Sequence, residues 1–239
     1  MLKNRVMTKP IASLADSAAR LSFWAAAAFV VLLAALHIIE PEFDPSWRVI
    51  SEYALGQYGW IMVAAFLSLA VSYVALFVAI KSQLRTLAGR IGLGSLLISA
   101  LGLAMAAVFP TDPITIRPEA ATTSGTLHTV GGTLGLAMTI AAVLVSWQLA
   151  RQPAWFGAWR SLWLAAGVAV ACSAAFIVIA MIVVPSDGKF GPDVLIGWPG
   201  RVEIVAYCVW LMVVARQALR VRRQGASGVT QAAPALVSK

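Results

Sequence analysis

Six apolar runs, each about as long as a membrane-spanning helix, constrain this chain more than any other feature of its sequence. A helix needs about 20 apolar residues to cross the hydrocarbon core of a bilayer. Hydrophobic residues make up 60% of the chain and charged residues only 12%, whereas a soluble domain is about half apolar and a quarter charged. The runs also lack the alternation of a membrane β-barrel. We therefore predict an all-α fold, a polytopic six-transmembrane-helix bundle, with spans at approximately 21–39, 59–80, 91–109, 127–149, 162–184 and 202–219.

The positive charges are distributed unequally between the two ends of this predicted bundle. The net charge is +8, from 18 Lys and Arg against 10 Asp and Glu. Four of the 18 lie on the side away from the termini, which leaves 14 on the other side; the four are Arg48, Arg117, Lys189 and Arg201. Because Lys and Arg mark the cytoplasmic face, both termini are predicted to be cytoplasmic.

This topology divides the chain into three segments of a multi-pass protein of the inner (plasma) membrane. Residues 1–20 form a cytoplasmic amino-terminal segment, residues 21–220 the transmembrane domain, and residues 221–239 a flexible cytoplasmic tail. The basic ends suit contact with anionic lipid. Membrane lipids are therefore the expected partners and nucleic acid is not, while no oligomeric state is predicted.

The acidic residues show the opposite distribution. Asp16 alone lies on the side of the termini. Acidic residues contribute little to topology, so the bias indicates that the outer side carries binding or chemistry. The residues at or near that side are Glu40, Glu42, Asp44, Glu52, Asp112, Glu119, Asp187, Asp193 and Glu203.

The segment 49–60, reading VISEYALGQYGW, is polar and glycine-rich and lies between the first two apolar runs. Gly56 and Gly59 permit a turn or a close approach, and Tyr53 suits the membrane interface. The segment also carries the carboxylate of Glu52. This pattern predicts a short interfacial or re-entrant piece, whose backbone must be satisfied by protein or water.

Two histidines are predicted to point into the bundle from helix faces rich in small residues. Such faces mark close packing between membrane helices. His37 lies on one of them near the end of the first run, and His128 lies on another in the fourth run. His128 shares its face with Gly131 and Gly135, whose spacing of four is typical of close helix packing.

Six ionisable side chains are predicted to reach the same outer level of the bundle, namely His37, Glu52, Asp112, His128, Arg201 and Glu203. Glu203 shares a helix face with Tyr207, four residues further on. Ionisable groups at membrane depth cost about 2.5–3.5 kcal/mol each on insertion scales and are usually paired or functional. One interpretation is a structural polar network, for example Arg201 with Glu52 or Asp112, that only fixes helix ends.

A second interpretation is a binding site for a lipid head group or a small polar ligand at the outer face. Arg201 would pair with an anion through its planar guanidinium. The ligand-binding residues would be Glu52, Tyr53, Asp112, His128, Arg201 and Glu203.

A third interpretation is an intramembrane hydrolase that acts on lipid. The candidate catalytic residues are His128, Asp112 and Ser51, since a histidine paired with a carboxylate can orient a water or a hydroxyl. Zinc could join His37, His128 and a carboxylate, because zinc sites normally take three protein ligands, although the HxxxH and HExxH patterns are absent. A haem held by the two histidines ranks last, since no CxxCH is present, and otherwise no cofactor is expected.

A fourth interpretation is a proton-linked small-molecule transporter that uses carboxylates and histidine. The second, third and fifth apolar runs carry no charge at mid-depth, which argues against it.

Short polar motifs stand between the apolar runs in a defined order. They are residues 50–56 (ISEYALG) with Gly59 and Trp60, then 109–112 (FPTD), then Leu127 and His128, then 197–201 (GWPGR). In this order they resemble the uncharacterised six-helix membrane-protein family catalogued as domain of unknown function 998, over roughly residues 20–220. The resemblance implies a bacterial or archaeal membrane protein without an established activity. Gly200 precedes Arg201 here, where the family pattern implies a Gln-Arg pair.

Overall fold

The computed structural model describes residues 14–186 and 188–232, and within these ranges it contains helices and connections but no strand. The predictions for residues 1–13, for Asp187 and for residues 233–239 lie outside the described residues. Seven α-helices follow one another, which are α1 (Leu14–Ile39), α2 (Gly59–Ile80), α3 (Leu87–Val108), α4 (Thr123–Gly135), α5 (Ala137–Ala150), α6 (Trp159–Val183) and α7 (Gly197–Ala232). Short 3₁₀ helices occupy Ile50–Leu55, Lys81–Gln83, Pro118–Ala120 and Pro153–Ala158.

The prediction of an all-α protein with six membrane spans is confirmed. Six helical segments in the described part of the chain are long and apolar enough to cross a membrane. Five of them contain one long helix each. The fourth, Thr123–Ala150, contains α4 and α5 in succession.

The fourth span is interrupted at Leu136, which the sequence pattern did not predict. The N–H of Leu136 bonds to the carbonyl of Thr133 at 3.1 Å, and the N–H of Thr139 bonds to the carbonyl of Leu136 at 3.1 Å. These are three-residue turns, which are tighter than the four-residue turns of an α-helix. The interruption places the hydroxyl of Thr139 at the first turn of α5.

Five helices begin earlier than the apolar runs predicted, and the difference is largest for α1 and α7. α1 begins at Leu14 rather than at 21, and Ala18 and Ala19 in its added turn are buried. α7 begins at Gly197 rather than at 202. Pro199 falls in the first turn of α7, where a helix does not need its missing N–H. Arg201 therefore lies one turn inside the helix rather than before it.

α7 also continues to Ala232, so the first part of the segment 221–239 is helical. The flexibility proposed for that segment stays a prediction, as does the cytoplasmic side of both termini.

The helices form a closed ring in which each packs on its neighbour in sequence and α7 packs on α1. Between α1 and α2, the Ser72 hydroxyl donates to the Ser22 carbonyl at 2.8 Å. Between α3 and α4, the backbones touch, because a Cβ on Gly131 would lie 2.6 Å from the carbonyl oxygen of Gly102. The predicted close packing is therefore found at Gly131, whereas a Cβ on Gly135 would meet no described atom within 4 Å.

Candidate functional site

Arg201 lies at the polar end of the bundle, where α1 ends and α7 begins. Its side chain is only 3% exposed. Its Nε–H donates to Nε2 of His37 at 2.8 Å, and its Nη1 donates to the carbonyls of Arg48 at 2.7 Å and Gly197 at 3.0 Å. All three acceptors are neutral, so these contacts leave the charge of Arg201 uncompensated.

Gly197 brings the loop after α1 within reach of Arg201. A Cβ at this position would overlap the carbonyl of Pro45 and lie 2.7 Å from the carbonyl of Arg48. The N–H of Gly197 also bonds to the carbonyl of Ser46 at 3.1 Å. Only glycine permits this approach of two backbones, and it places the Arg48 carbonyl beside the guanidinium.

The hydrogen bonds of His37 define its tautomer. Arginine carries donors only, so Nε2 of His37 must accept from Arg201. Nδ1 then carries the proton and donates to the carbonyl of Leu33 at 2.7 Å. Both ring nitrogens of His37 are thus engaged in hydrogen bonds.

Two buried donors beside His37 have no partner in the described part of the protein. They are Nη2 of Arg201 and the hydroxyl of Tyr53, whose side chain is fully buried. The Arg201 guanidinium carbon lies 5.6 Å from the centre of the Tyr53 ring, and the His37 ring stacks near that of Trp198 at 6.0 Å. We call Arg201, His37, Tyr53 and Trp198 the Arg201 site. Buried polar groups are normally hydrogen-bonded, so two orphaned donors in one place indicate a missing acceptor.

Glu52 is fully buried in the 3₁₀ helix Ile50–Leu55. It pairs with Arg48, and not with Arg201 as one interpretation of the sequence suggested. Its Oε1 accepts from Nη1 of Arg48 at 2.7 Å and from the N–H of Ile114 at 2.9 Å. Arg48 precedes Glu52 by four residues and contacts its carboxylate directly. Arg201 and Glu52 do not form an ion pair. Oε2 of Glu52 has no partner among the described residues.

Glu40 anchors the segment that carries Glu52 and Tyr53. Its Oε1 accepts from the N–H of Tyr58 at 2.6 Å. A Cβ at Gly56 would overlap this carboxylate. The predicted interfacial piece is thus tied to the end of α1, which positions Tyr53 against Arg201.

Asp112 caps the start of α4. It accepts from the Thr122 N–H at 2.8 Å and from the Thr122 hydroxyl at 2.9 Å, and Thr122 in turn accepts from the N–H of Gly125 at 2.9 Å. This arrangement satisfies backbone donors at the helix N-terminus.

His128 is buried but forms no hydrogen bond with Asp112. Nδ1 of His128 donates to the carbonyl of Phe109 at 2.9 Å, and its ring packs edge-on against Phe66. Ser51 is half-buried, and no side-chain hydrogen bond of Ser51 is found in the described part. The structure therefore does not bring the three candidate catalytic residues into one hydrogen-bonded array. Within the described residues no three His, Cys, Asp or Glu side chains are placed to share a metal.

Glu203 belongs to a separate polar cluster deeper in the bundle. Tyr207 donates to Oε1 of Glu203 at 2.9 Å, as their spacing suggested, and Ser173 donates to the same oxygen at 2.6 Å. The hydroxyls of Ser173 and Tyr207 lie 2.7 Å apart, and the Thr139 hydroxyl contacts them at 2.9 and 2.6 Å. We call these four residues the Glu203 cluster.

Sequence reasoning missed several partners of the site residues. Arg48 was counted only as an outer charge, although its spacing of four from Glu52 was a usable signal. Ser173 and Thr139 are hydroxyl residues within apolar runs, and they meet Glu203 only because α5, α6 and α7 pack together.

The exposed Asp44 lies outside the spans and within the field of Arg201. The Ser46 N–H donates to Asp44 at 2.9 Å. This hydrogen bond is the main cause that lowers the pKa of Asp44, and the charge of Arg201 adds to it.

Comparison with known proteins returns a family without an assigned activity. A family model described as "Protein of unknown function (DUF998)" matches residues 23–217. No curated protein and no solved structure matches the chain.

Proposed function

Because the chain belongs to the DUF998 family of uncharacterised membrane proteins, we propose a function from its own geometry. The Arg201 site binds an anionic group, which belongs to a lipid head group or to a small polar ligand. The observation that carries this proposal is the buried guanidinium of Arg201, which has three neutral acceptors and whose Nη2 has no partner among the described residues. Burying a charge without a counter-charge in direct contact costs several kcal/mol. An anion at Nη2 removes that cost.

The surroundings of Arg201 suit a phosphate or carboxylate. The planar guanidinium presents N–H groups that match such an anion, and the orphaned hydroxyl of Tyr53 is a second donor. Arg201 also lies in the first turns of α7, where helix N–H groups and the helix dipole favour negative charge.

A lipid head group fits the position of the site in the bundle. Trp198, which stacks beside His37, is 53% exposed at the end of a membrane span. Tryptophan at that level is typical of the zone where head groups lie. The basic residues at the opposite end favour an outward-facing orientation for the Arg201 site.

Lipid retention by purified variants tests this proposal. Native mass spectrometry would compare wild type with Arg201→Gln and Tyr53→Phe, each titrated with phosphatidylglycerol and with phosphatidylcholine. We expect both variants to bind phosphatidylglycerol about tenfold more weakly, as the loss of one charge-assisted hydrogen bond implies. Arg117→Gln, which alters an exposed arginine at the same end, is the matched control and should bind like wild type.

The free-anion form of the ligand is tested with inorganic phosphate in place of lipid. Stabilisation of wild type by phosphate, absent in Arg201→Gln, would support a small polar ligand. Equal binding by wild type, Arg201→Gln and Arg117→Gln in both arms would overturn the proposal. Tyr53→Phe keeps the buried ring, so it tests the site even if Arg201→Gln does not fold.

A second candidate, proton-linked transport, is favoured by the Glu203 cluster. Five oxygen–oxygen contacts of 2.6–2.9 Å join its four side chains, while its three hydroxyls supply three protons. The cluster can therefore accept a further proton without a change of partners. It also lies beside the interruption between α4 and α5, and broken helices accompany ion and proton sites in many transporters.

Proton movement into liposomes tests this second candidate. The protein would be reconstituted with trapped pyranine, and a potassium gradient with valinomycin would drive protons inward. We expect faster acidification than in empty liposomes, lost in Glu203→Gln and retained in Glu42→Gln, which alters an exposed carboxylate. Equal rates in the two variants would count against transport through this cluster.

A further inference from the structure

An open groove lies at the other end of the bundle, where the chain passes from α5 to α6. Its volume is about 470 Å³. The floor is the connection that contains the 3₁₀ helix Pro153–Ala158, and the walls are the last turn of α5 and the first turns of α6. The lining residues are Trp147, Ala150, Arg151, Phe156, Trp159 and Trp163, which we call the Trp147 groove.

Two arginines lie over tryptophan faces at this groove. The guanidinium of Arg151 lies 4.3 Å from the ring centre of Trp147, and that of Arg160 lies 5.5 Å from the ring centre of Trp159. Neither guanidinium forms a hydrogen bond or an ion pair within the described residues. Stacking orients a guanidinium and leaves its N–H edge free, so both cations are available to an anion.

No acidic residue competes for these cations within the connections at this end. The segments 81–90 and 150–161 contain no Asp or Glu, although the first carries Lys81, Arg85 and Arg90. The local charge is thus positive throughout, which attracts an anionic partner.

The groove is held rigid from below. Trp155 is fully buried, and its indole N–H donates to the side-chain oxygen of Gln83 at 2.7 Å. The side-chain amide of Gln152 donates to the carbonyl of Gln83 at 2.9 Å. These bonds tie the two connections together, so the groove pays little ordering entropy when a ligand binds.

We propose that the Trp147 groove binds one anionic phospholipid. The phosphate accepts hydrogen bonds from Arg151, Arg160 supplies a second positive charge, and an acyl chain lies against Phe156 and Trp163. Both of these rings are open to the outside, with exposed fractions of 62% and 41%. Trp147 and Trp163 belong to membrane spans, so the apolar walls continue into the bilayer, which favours a lipid over an acidic peptide.

Competition between lipids for the full-length protein tests this site. The protein would be exchanged into nanodiscs of phosphatidylcholine with a minor fraction of phosphatidylglycerol, released into detergent, and its bound lipid counted by native mass spectrometry. We expect wild type to retain one phosphatidylglycerol at the groove, and Arg151→Gln to lose about tenfold in relative retention. Arg85→Gln, an exposed arginine of the neighbouring connection, is the control and should retain it.

A second variant distinguishes a specific lipid site from general attraction between positive charges and anionic lipid. Trp163→Ala leaves every charge in place and removes an apolar wall, so it should also weaken phosphatidylglycerol retention. Equal retention in Arg151→Gln, Trp163→Ala and wild type would overturn the proposal, as would an equal loss in Arg85→Gln and Arg151→Gln. Arg201→Gln should lose the phosphatidylglycerol of the Arg201 site, and the double variant Arg151→Gln/Arg201→Gln should show the sum of the two losses, as two independent sites require.

Discussion

Arg201 donates its Nε–H to Nε2 of His37 across 164 positions of sequence, at a distance of 2.8 Å. The bond joins the last turn of α1 to the start of α7, which are the two helices that close the ring. It also holds the guanidinium so that Nη2 remains without a partner in the described part of the chain. The contact thus links the closure of the fold to the proposed anion site.

Replacement of His37 by phenylalanine should destabilise the protein. The variant removes the acceptor and leaves the buried Nε–H of Arg201 unsatisfied, which costs about 1–3 kcal/mol. The free energy of unfolding in mixed detergent–SDS micelles measures this loss. His37→Gln retains an acceptor oxygen and should lose less, so equal losses in the two variants would contradict the hydrogen bond.

The Glu203 cluster predicts a difference between two substitutions of Glu203. Glu203→Gln keeps an oxygen for the hydroxyls of Ser173 and Tyr207. Glu203→Leu leaves those hydroxyls buried without their acceptor, so it should be less stable than Glu203→Gln by about 1–3 kcal/mol. The same unfolding assay measures the difference, and a leucine variant at least as stable as the glutamine variant would disprove the network.

Adjacent glycines in α4 should respond differently to alanine. In Gly131→Ala the new Cβ would lie 2.6 Å from the carbonyl of Gly102 and force α3 and α4 apart. Such overpacking typically costs about 1–3 kcal/mol. In Gly132→Ala the new Cβ meets nothing within 4 Å, and alanine is the better helix former by about 1 kcal/mol. Thermal midpoints that fall for Gly131→Ala and hold or rise for Gly132→Ala are expected; the opposite order would refute the close approach.

Asp44 should contribute to stability at neutral pH and lose that contribution in acid. Its pKa is lowered in the folded protein, first by the Ser46 N–H and also by Arg201. A carboxyl group whose pKa is lowered by folding stabilises the folded protein at pH values above its pKa in the unfolded chain, which is near 3.9. This contribution disappears as the pH falls through the pKa of the group in the folded protein. Thermal midpoints of wild type and Asp44→Asn should therefore differ at pH 7 and converge in acid. Midpoints that stay equally far apart from pH 7 to the acid limit would contradict this linkage.

The number of membrane spans could be predicted because hydrophobic length is a local property of the chain. Each run needs about 20 apolar residues whatever its neighbours are, and all six spans are found. Helix ends were predicted less well, as α1 and α7 show, because packing of Ala18 and Ala19 and the tolerance of Pro199 in a first turn extend helices beyond their apolar runs.

The partners of the polar residues depended on three-dimensional packing. Glu52 and Arg201 both belonged to the predicted outer set, yet Glu52 pairs with Arg48 and Arg201 with His37. The Arg48–Glu52 pair is local, at a spacing of four residues, whereas the contacts of Arg201 depend on the loop after α1, which Gly197 allows to lie against α7. A sequence pattern orders residues along one helix but does not orient one helix against another.

By itself the sequence determined the fold class, the number of spans and the polar character of one end, because each follows from the length and spacing of residue types along single helices. Only the tertiary structure decided that Arg201 meets neutral acceptors, that Ser173 of α6 and Thr139 of α5 join Glu203 and Tyr207 of α7, and that the connection after α5 places Phe156 and Trp163 beside Trp147 in one groove. Hydrogen bonds and ring contacts act over a few ångströms, so those between different helices exist only once the helices have packed.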